Sequence, residues 1–206
     1  MAFITFEGCE GCGKSTQSRL LKEYLLSTGQ DFIALREPGG TEISEKIREL
    51  ILDKGNAKMT DECEALLYAA ARAQLIKEVI LPNLNAGRTV ILDRYIDSSF
   101  AYQAFARGLG YDFVAAVNSY ALESCMPTVT FFMDVPPERA FSRKGGVDEG
   151  DRIELAGLEF HNKVYFGYKK LAETFKDRYV LLKADGTKYE THEIIKNYLI
   201  EKGYIR

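Results

Sequence analysis

Phe6-Glu7-Gly8-Cys9-Glu10-Gly11-Cys12-Gly13-Lys14-Ser15-Thr16 is the stretch that decides the fold. A short apolar run, Ala2 to Glu7, leads into Gly8-x-x-x-x-Gly13-Lys14-Ser15, and a helical pattern continues from about Lys14 to Thr28. Four fixed positions arise by chance in roughly one chain in a hundred of this length. The flanking strand and helix, without which the motif means nothing, make chance rarer still. Glycines let the backbone wrap its N–H groups around a phosphate at a helix N-terminus. Gly8, Cys9, Glu10, Gly11, Cys12, Gly13, Lys14, Ser15 and Thr16 are therefore the candidate ATP-binding loop. Lys14 is expected on the β and γ oxygens and Ser15 on Mg²⁺. Cys9-x-x-Cys12 falls at the variable positions of this loop, with no second such pair and no nearby histidine. It reads as two small side chains rather than a metal or redox pair.

Outward from the loop, further apolar runs read as strands: Asp31–Arg36, Arg88–Asp93, Thr128–Asp134 and Arg178–Ala184. Helical patterns separate them, including a long one from Asp61 to about Leu84 with Tyr68, Arg72, Leu75 and Val79 on one face. Asp61 with Glu64 three residues on has the form of a capping box. Five apolar strands alternating with helices predict an α/β fold, a five-stranded parallel sheet with helices on both faces, and the Gly8–Ser15 loop makes it of the P-loop nucleoside triphosphatase kind. At 206 residues, a single domain over 1–206 is expected. Ligands collect beyond the carboxyl ends of such strands.

Composition narrows the function. The formal charge is −3 with no basic tail, which argues against non-specific nucleic-acid binding. The longest purely apolar run, Ala65 to Ala71, is far too short for a membrane span. Four cysteines without a basic leader read as reduced thiols in a cytoplasm. Only His161 and His192 are available for histidine chemistry.

Val90-Ile91-Leu92-Asp93 is an apolar strand ending in a carboxylate, suited to holding a Mg²⁺ water beside the loop. Arg94 follows where a second phosphate would lie. Asp134 ends another strand and is the rival, but it lacks a following cation. Tyr68 and Arg72 share a helix face, as do Ser99, Tyr102 and Gln103. A ring, a guanidinium, hydroxyls and an amide suit a nucleobase and a sugar. Arg36, Glu37 and Arg48 add a basic wall with one carboxylate.

Together these residues resemble the thymidylate kinase family. Phe6-Glu7-Gly8, Arg36-Glu37-Pro38-Gly39-Gly40-Thr41, the run Asp93-Arg94-Tyr95 through Gln103, and Asp151-Arg152-Ile153-Glu154 stand in that family's order over nearly the whole chain. The resemblance implies transfer of the ATP γ-phosphoryl group to dTMP, with Mg²⁺, in a homodimer. It implies Tyr68 stacking on thymine, Arg72 at the thymine edge, and Arg48 and Arg94 on the dTMP phosphate. Ser99 and Gln103 face the base, and Tyr102 stands where a 2′-hydroxyl would clash. Glu37 and Pro38 join the acceptor site, and Glu37 joins Ser15 and Asp93 as a metal contact. Family chains with an acidic residue such as Glu10 in the loop usually draw a catalytic arginine from a lid, here about 143–152. The expected catalytic cations are Lys14, Arg94, Arg143 and Arg152, with Arg143 in the transition state, Arg152 reaching ATP, and Lys144 as the alternative to Arg143. A dianionic phosphate acceptor needs no general base, which suits a chain with two histidines.

Overall fold

In a computed structural model of the chain, residues 2–144 and 150–206 are described, 143 and 144 by backbone only. Among the described residues, strands β1 (Phe3–Glu7), β2 (Phe32–Arg36), β3 (Thr89–Asp93), β4 (Val129–Met133) and β5 (Tyr179–Leu182) form one parallel sheet. Its order is β2-β3-β1-β4-β5, which puts β1 at the centre. Helices α1 (Lys14–Ser27), α2 (Glu42–Leu52), α3 (Asp61–Leu75), α4 (Leu81–Asn85), α5 (Ile96–Ser99), α6 (Tyr111–Val117), α7 (Ser119–Ser124), α8 (Pro137–Lys144), α9 (Gly157–Thr174) and α10 (Lys188–Glu201) make the crossovers.

The two-residue period of the strands divides the core. Ile4, Phe6, Ile91, Phe131 and Met133 point to a layer completed by Leu21 and Leu25 of α1 and Ile195 and Leu199 of α10. Phe3, Val90, Leu92 and Phe132 point to the opposite layer, with Leu75, Phe100, Val164 and Tyr168. Each large apolar side chain buried this way contributes about 1.5–3 kcal/mol. On that second face β1 also carries Thr5 and Glu7, both fully buried. The hydroxyl of Thr5 meets that of Thr130 at 2.9 Å, and Arg178 closes the seam on Asp97 and Thr130.

The helices depart from their sequence pattern in detail. Thr60 caps α3 through Cys63 N–H, so the Asp61–Glu64 spacing is no capping box. Glu64 turns inward instead. The long helix runs on through a π turn, Ile76–Ile80, into α4. The segment after α5 is also π-helical, Phe100–Ala106, which rotates the residues following Ser99. Lastly, α10 opens on a capping box between Thr187 and Glu190. No helix among the described residues is long and apolar enough to cross a membrane.

Candidate active site

The loop after β1 is shaped by backbone that tolerates no side chain. Gly8 has φ 138°, and a Cβ there would stand 2.9 Å from Met133 O. Gly13, at φ 107°, precedes α1 as a cap with no side-chain hydrogen bond to the helix, and no acidic residue occupies the first turn. By contrast, Thr41, Thr60 and Thr187 cap α2, α3 and α10 with their hydroxyls. The uncapped N–H groups of α1 are the ones left for an anion. Lys14 is buried, and its Nζ donates to the carbonyls of Gly8 (3.2 Å) and Cys9 (2.9 Å). Cys9 and Cys12 are buried free thiols. Burial pushes Cys9 up to about 12 and raises Cys12 as well, so neither presents a reactive thiolate at neutral pH.

Ser15 Oγ donates to Asp93 Oδ2 at 2.8 Å, which joins the loop to the end of β3. The rival carboxylate, Asp134, is taken by Tyr165 Oη (2.7 Å) and Lys169 (3.1 Å). A hydroxyl and a carboxylate meeting at the loop are hard oxygen donors of the kind Mg²⁺ selects.

Arg94 is the one non-glycine residue with a left-handed backbone among the described residues, φ 71°. That turn swings its side chain over the loop. Its guanidinium donates to Gly8 O (3.0 Å) and Tyr168 Oη (3.2 Å), pairs with Glu10 (3.0 Å), and lies over the Tyr102 ring. Beneath it, Glu7 accepts from Tyr95 N–H (2.7 Å), Ser98 Oγ (2.7 Å) and Tyr168 Oη (2.8 Å). Burial, reinforced by Asp97, pushes Glu7 up from the ordinary 4.5 to about 7. The folded chain therefore holds more protons than the unfolded one between those values. Glu7's contribution to stability is complete below about pH 4.5 and is lost as the pH rises through 7. Accordingly, Tm is expected to fall from pH 5 to pH 8, and the isosteric, uncharged Glu7→Gln flattens that slope. Equal slopes in thermal scans of both proteins would refute the assignment.

A pocket opens beside Arg94, lined by Glu37, Pro38, Arg48, Tyr68, Arg72, Arg94, Ser99, Tyr102 and Gln103, together with Glu10, Asp151 and His161. The sequence-selected acceptor residues are thus brought together in one cavity. Arg72 is fully buried. It donates to Glu37 through Nε (2.9 Å), to Ser99 Oγ and Asn118 Oδ1 through Nη1, and to Tyr95 O through Nη2, and its Nη2 also lies 2.7 Å from the Glu37 carboxylate as an ion pair. All three of its nitrogens are engaged, so it forms a fixed wall rather than a loose arm at the base edge. Glu37 precedes a cis bond to Pro38, and burial pushes it up to about 7 against the pull of Arg72. Its Oε1 has no hydrogen-bond partner among the described residues. Arg36 and Arg48 both donate to Pro38 O. Burial and Arg36 draw Arg48 down, a strain that an incoming anion would relieve.

The side chains of Arg143 and Lys144 are outside the described set, with residues 145–149. Arg152 donates to Ile51 O (2.7 Å) and pairs with Glu64 (2.6 Å), on the acceptor side. A contact with ATP would require it to leave both. Sequence reasoning gave no role to Asn118 or Tyr168, named Ser98 only within the Asp93-to-Gln103 run, and took Glu64 for a helix-start residue. Asn118 and Tyr168 sit in no motif with recognisable spacing, though Glu7, a carboxylate inside an apolar strand, was a visible anomaly.

A family model described as thymidylate kinase matches residues 6–195. The chain belongs to the thymidylate kinase family. It is 45% identical over 201 residues to the thymidylate kinase of Thermoanaerobacter pseudethanolicus, covering 96% of this chain and 98% of that one. The thymidylate kinase of Acholeplasma laidlawii is 44% identical over 97% and 99% of the two chains. That of Bacillus velezensis is 47% identical over 90% and 89%. The stretches that carry the thymidylate kinase resemblance, at the ends of β1, β2 and β3 and at the start of α9's approach, meet along one rim of the sheet.

Proposed function

We propose that the protein transfers the γ-phosphoryl group of ATP to dTMP, giving ADP and dTDP. The observation that carries this reading is Arg94. One guanidinium touches the phosphate loop at Gly8 and Glu10 and also lines the acceptor pocket, so donor and acceptor phosphates share a wall. ATP takes the loop from Gly8 to Thr16, with its phosphates on the free N–H groups of α1 and on Lys14. Ser15 and Asp93 would hold Mg²⁺, with Glu37 as a further contact. When bound, the ion neutralises phosphate charge and orients the transferring group.

In the acceptor pocket, Arg48 and Arg94 take the dTMP phosphate, and Tyr68 supplies the stacking face. Ser99 and Gln103 face the base edge, and Tyr102 fills the space a 2′-hydroxyl needs. The acceptor phosphate, with a second pKa of about 6, is dianionic at neutral pH and attacks without a base. Positioning and charge neutralisation supply the catalysis. Arg143, of the expected lid at about 143–152, supplies the transition-state cation, and Arg152 braces the acceptor pocket through Glu64. Arg143→Ala is expected to lower kcat more than it raises either KM, and the same result from Lys144→Ala instead would move the role to Lys144.

The protein works as a homodimer in the cytoplasm. The half-exposed Ile43, Leu50 and Leu66 on the packed pair α2 and α3, and four free cysteines, support this. Light scattering of the purified chain checks the dimer. ADP release from ATP, with and without dTMP and against dUMP and dCMP, tests the reaction. ADP release independent of acceptor would overturn it.

A further inference from the structure

Gln103 lines the acceptor pocket, but one end of its amide is already taken. Its Nε2 donates to Glu64 Oε1 at 2.9 Å. A carboxylate accepts and does not donate, so this bond fixes which way the amide faces. The remaining acceptor, Oε1, is left for the pocket. Glu64 itself is fully buried on α3 and is held from two other sides. Arg107 reaches Oε2 at 3.0 Å, and Arg152 reaches it at 2.6 Å. The carboxylate therefore cannot swing away from the amide without stranding two partly buried guanidinium groups.

We propose that Glu64 is a positioning residue for base selection, locking the Gln103 amide so that Oε1 accepts the N3–H of a thymine. The inference rests on dTMP being the acceptor. Thymine and uracil both present a donor at N3, whereas cytosine presents an acceptor there. A locked amide oxygen favours the first two and meets cytosine with two opposed lone pairs. An amide free to turn would accommodate either edge. Arg72 cannot supply this N3 contact, because its guanidinium only donates and cannot accept from N3–H.

Glu64→Gln separates the roles. An amide beside an amide permits both orientations of Gln103 while keeping the volume of the side chain. The measurement is kcat/KM for dTMP, dUMP and dCMP in wild type and variant, with folding checked by Tm. Expected is a fall in the dTMP:dCMP ratio of about tenfold, the scale of one well-placed hydrogen bond, with the dTMP:dUMP ratio unchanged. A merely structural role for Glu64 would depress all three substrates together. An unchanged dTMP:dCMP ratio, or equal shifts in both ratios, overturns the proposal. If Glu64→Gln does not fold, Glu64→Asp keeps the charge between Arg107 and Arg152 but withdraws from the amide, and the same ratios decide. A wild type inactive on dTMP would instead refute the function itself.

Discussion

Replacing Arg94 with alanine is expected to lower kcat/KM for dTMP by about three orders of magnitude while ATP still binds, the scale seen when a charged transition-state contact is removed. The expectation follows from where the guanidinium sits. It spans from Gly8 O to Tyr168 Oη and Ser98 Oγ, and those two hydroxyls rest on the buried Glu7. A cation so braced meets an incoming phosphate without reorganising. Alanine removes the cation and with it the ion pair to Glu10, a carboxylate that stands beside two polyanions. Glu10→Gln added to Arg94→Ala should therefore recover part of the loss. Arg94→Lys keeps the charge but loses the fork that holds both hydroxyls and the loop, and should recover little. Steady-state kinetics with varied dTMP, alongside ATP titration calorimetry, distinguish these outcomes. An unchanged kcat/KM for dTMP would remove Arg94 from the site.

The second large effect is on stability. Arg72→Met should cost about 3–5 kcal/mol in denaturant unfolding, because it leaves the carboxylate of Glu37 buried without its partner. It also strands Asn118 Oδ1 and Tyr95 O, both inside the pocket wall. The double variant Arg72→Met/Glu37→Gln removes the uncompensated charge and should be more stable than Arg72→Met alone. If the double variant is the weaker of the two, the buried pair is not what holds this wall. A small single-variant effect, under about 1 kcal/mol, would show that water reaches Glu37 freely.

How far the site was legible depended on whether a residue works through local backbone or through distant partners. Gly8, Gly13 and Lys14 were readable because their function is a local loop shape, and the structure keeps that shape with an open helix N-terminus. Asp93 and Arg94 were readable as the end of an apolar strand, and the Ser15–Asp93 bond favours Asp93 over Asp134. Glu64 was misread because a helix-start pattern and an inward-facing carboxylate look alike in one dimension. Its three partners, Gln103, Arg107 and Arg152, lie 39 to 88 residues away. The π-helical turns after Leu75 and Ser99 had no signal in the apolar period either.

The sequence by itself determined the parallel α/β class and the glycine-rich loop after β1, and it named the candidate cations, since strand hydrophobicity and glycine spacing act over a few residues. Tertiary structure alone decided which of those cations are free to meet a ligand. Arg72 is consumed by the pocket wall and Arg152 by Glu64, while Arg94 is swung over the loop by its left-handed backbone. The physical reason is that a buried guanidinium must satisfy its donors wherever the fold brings acceptors to it, and those acceptors come from strands and helices far apart in the chain.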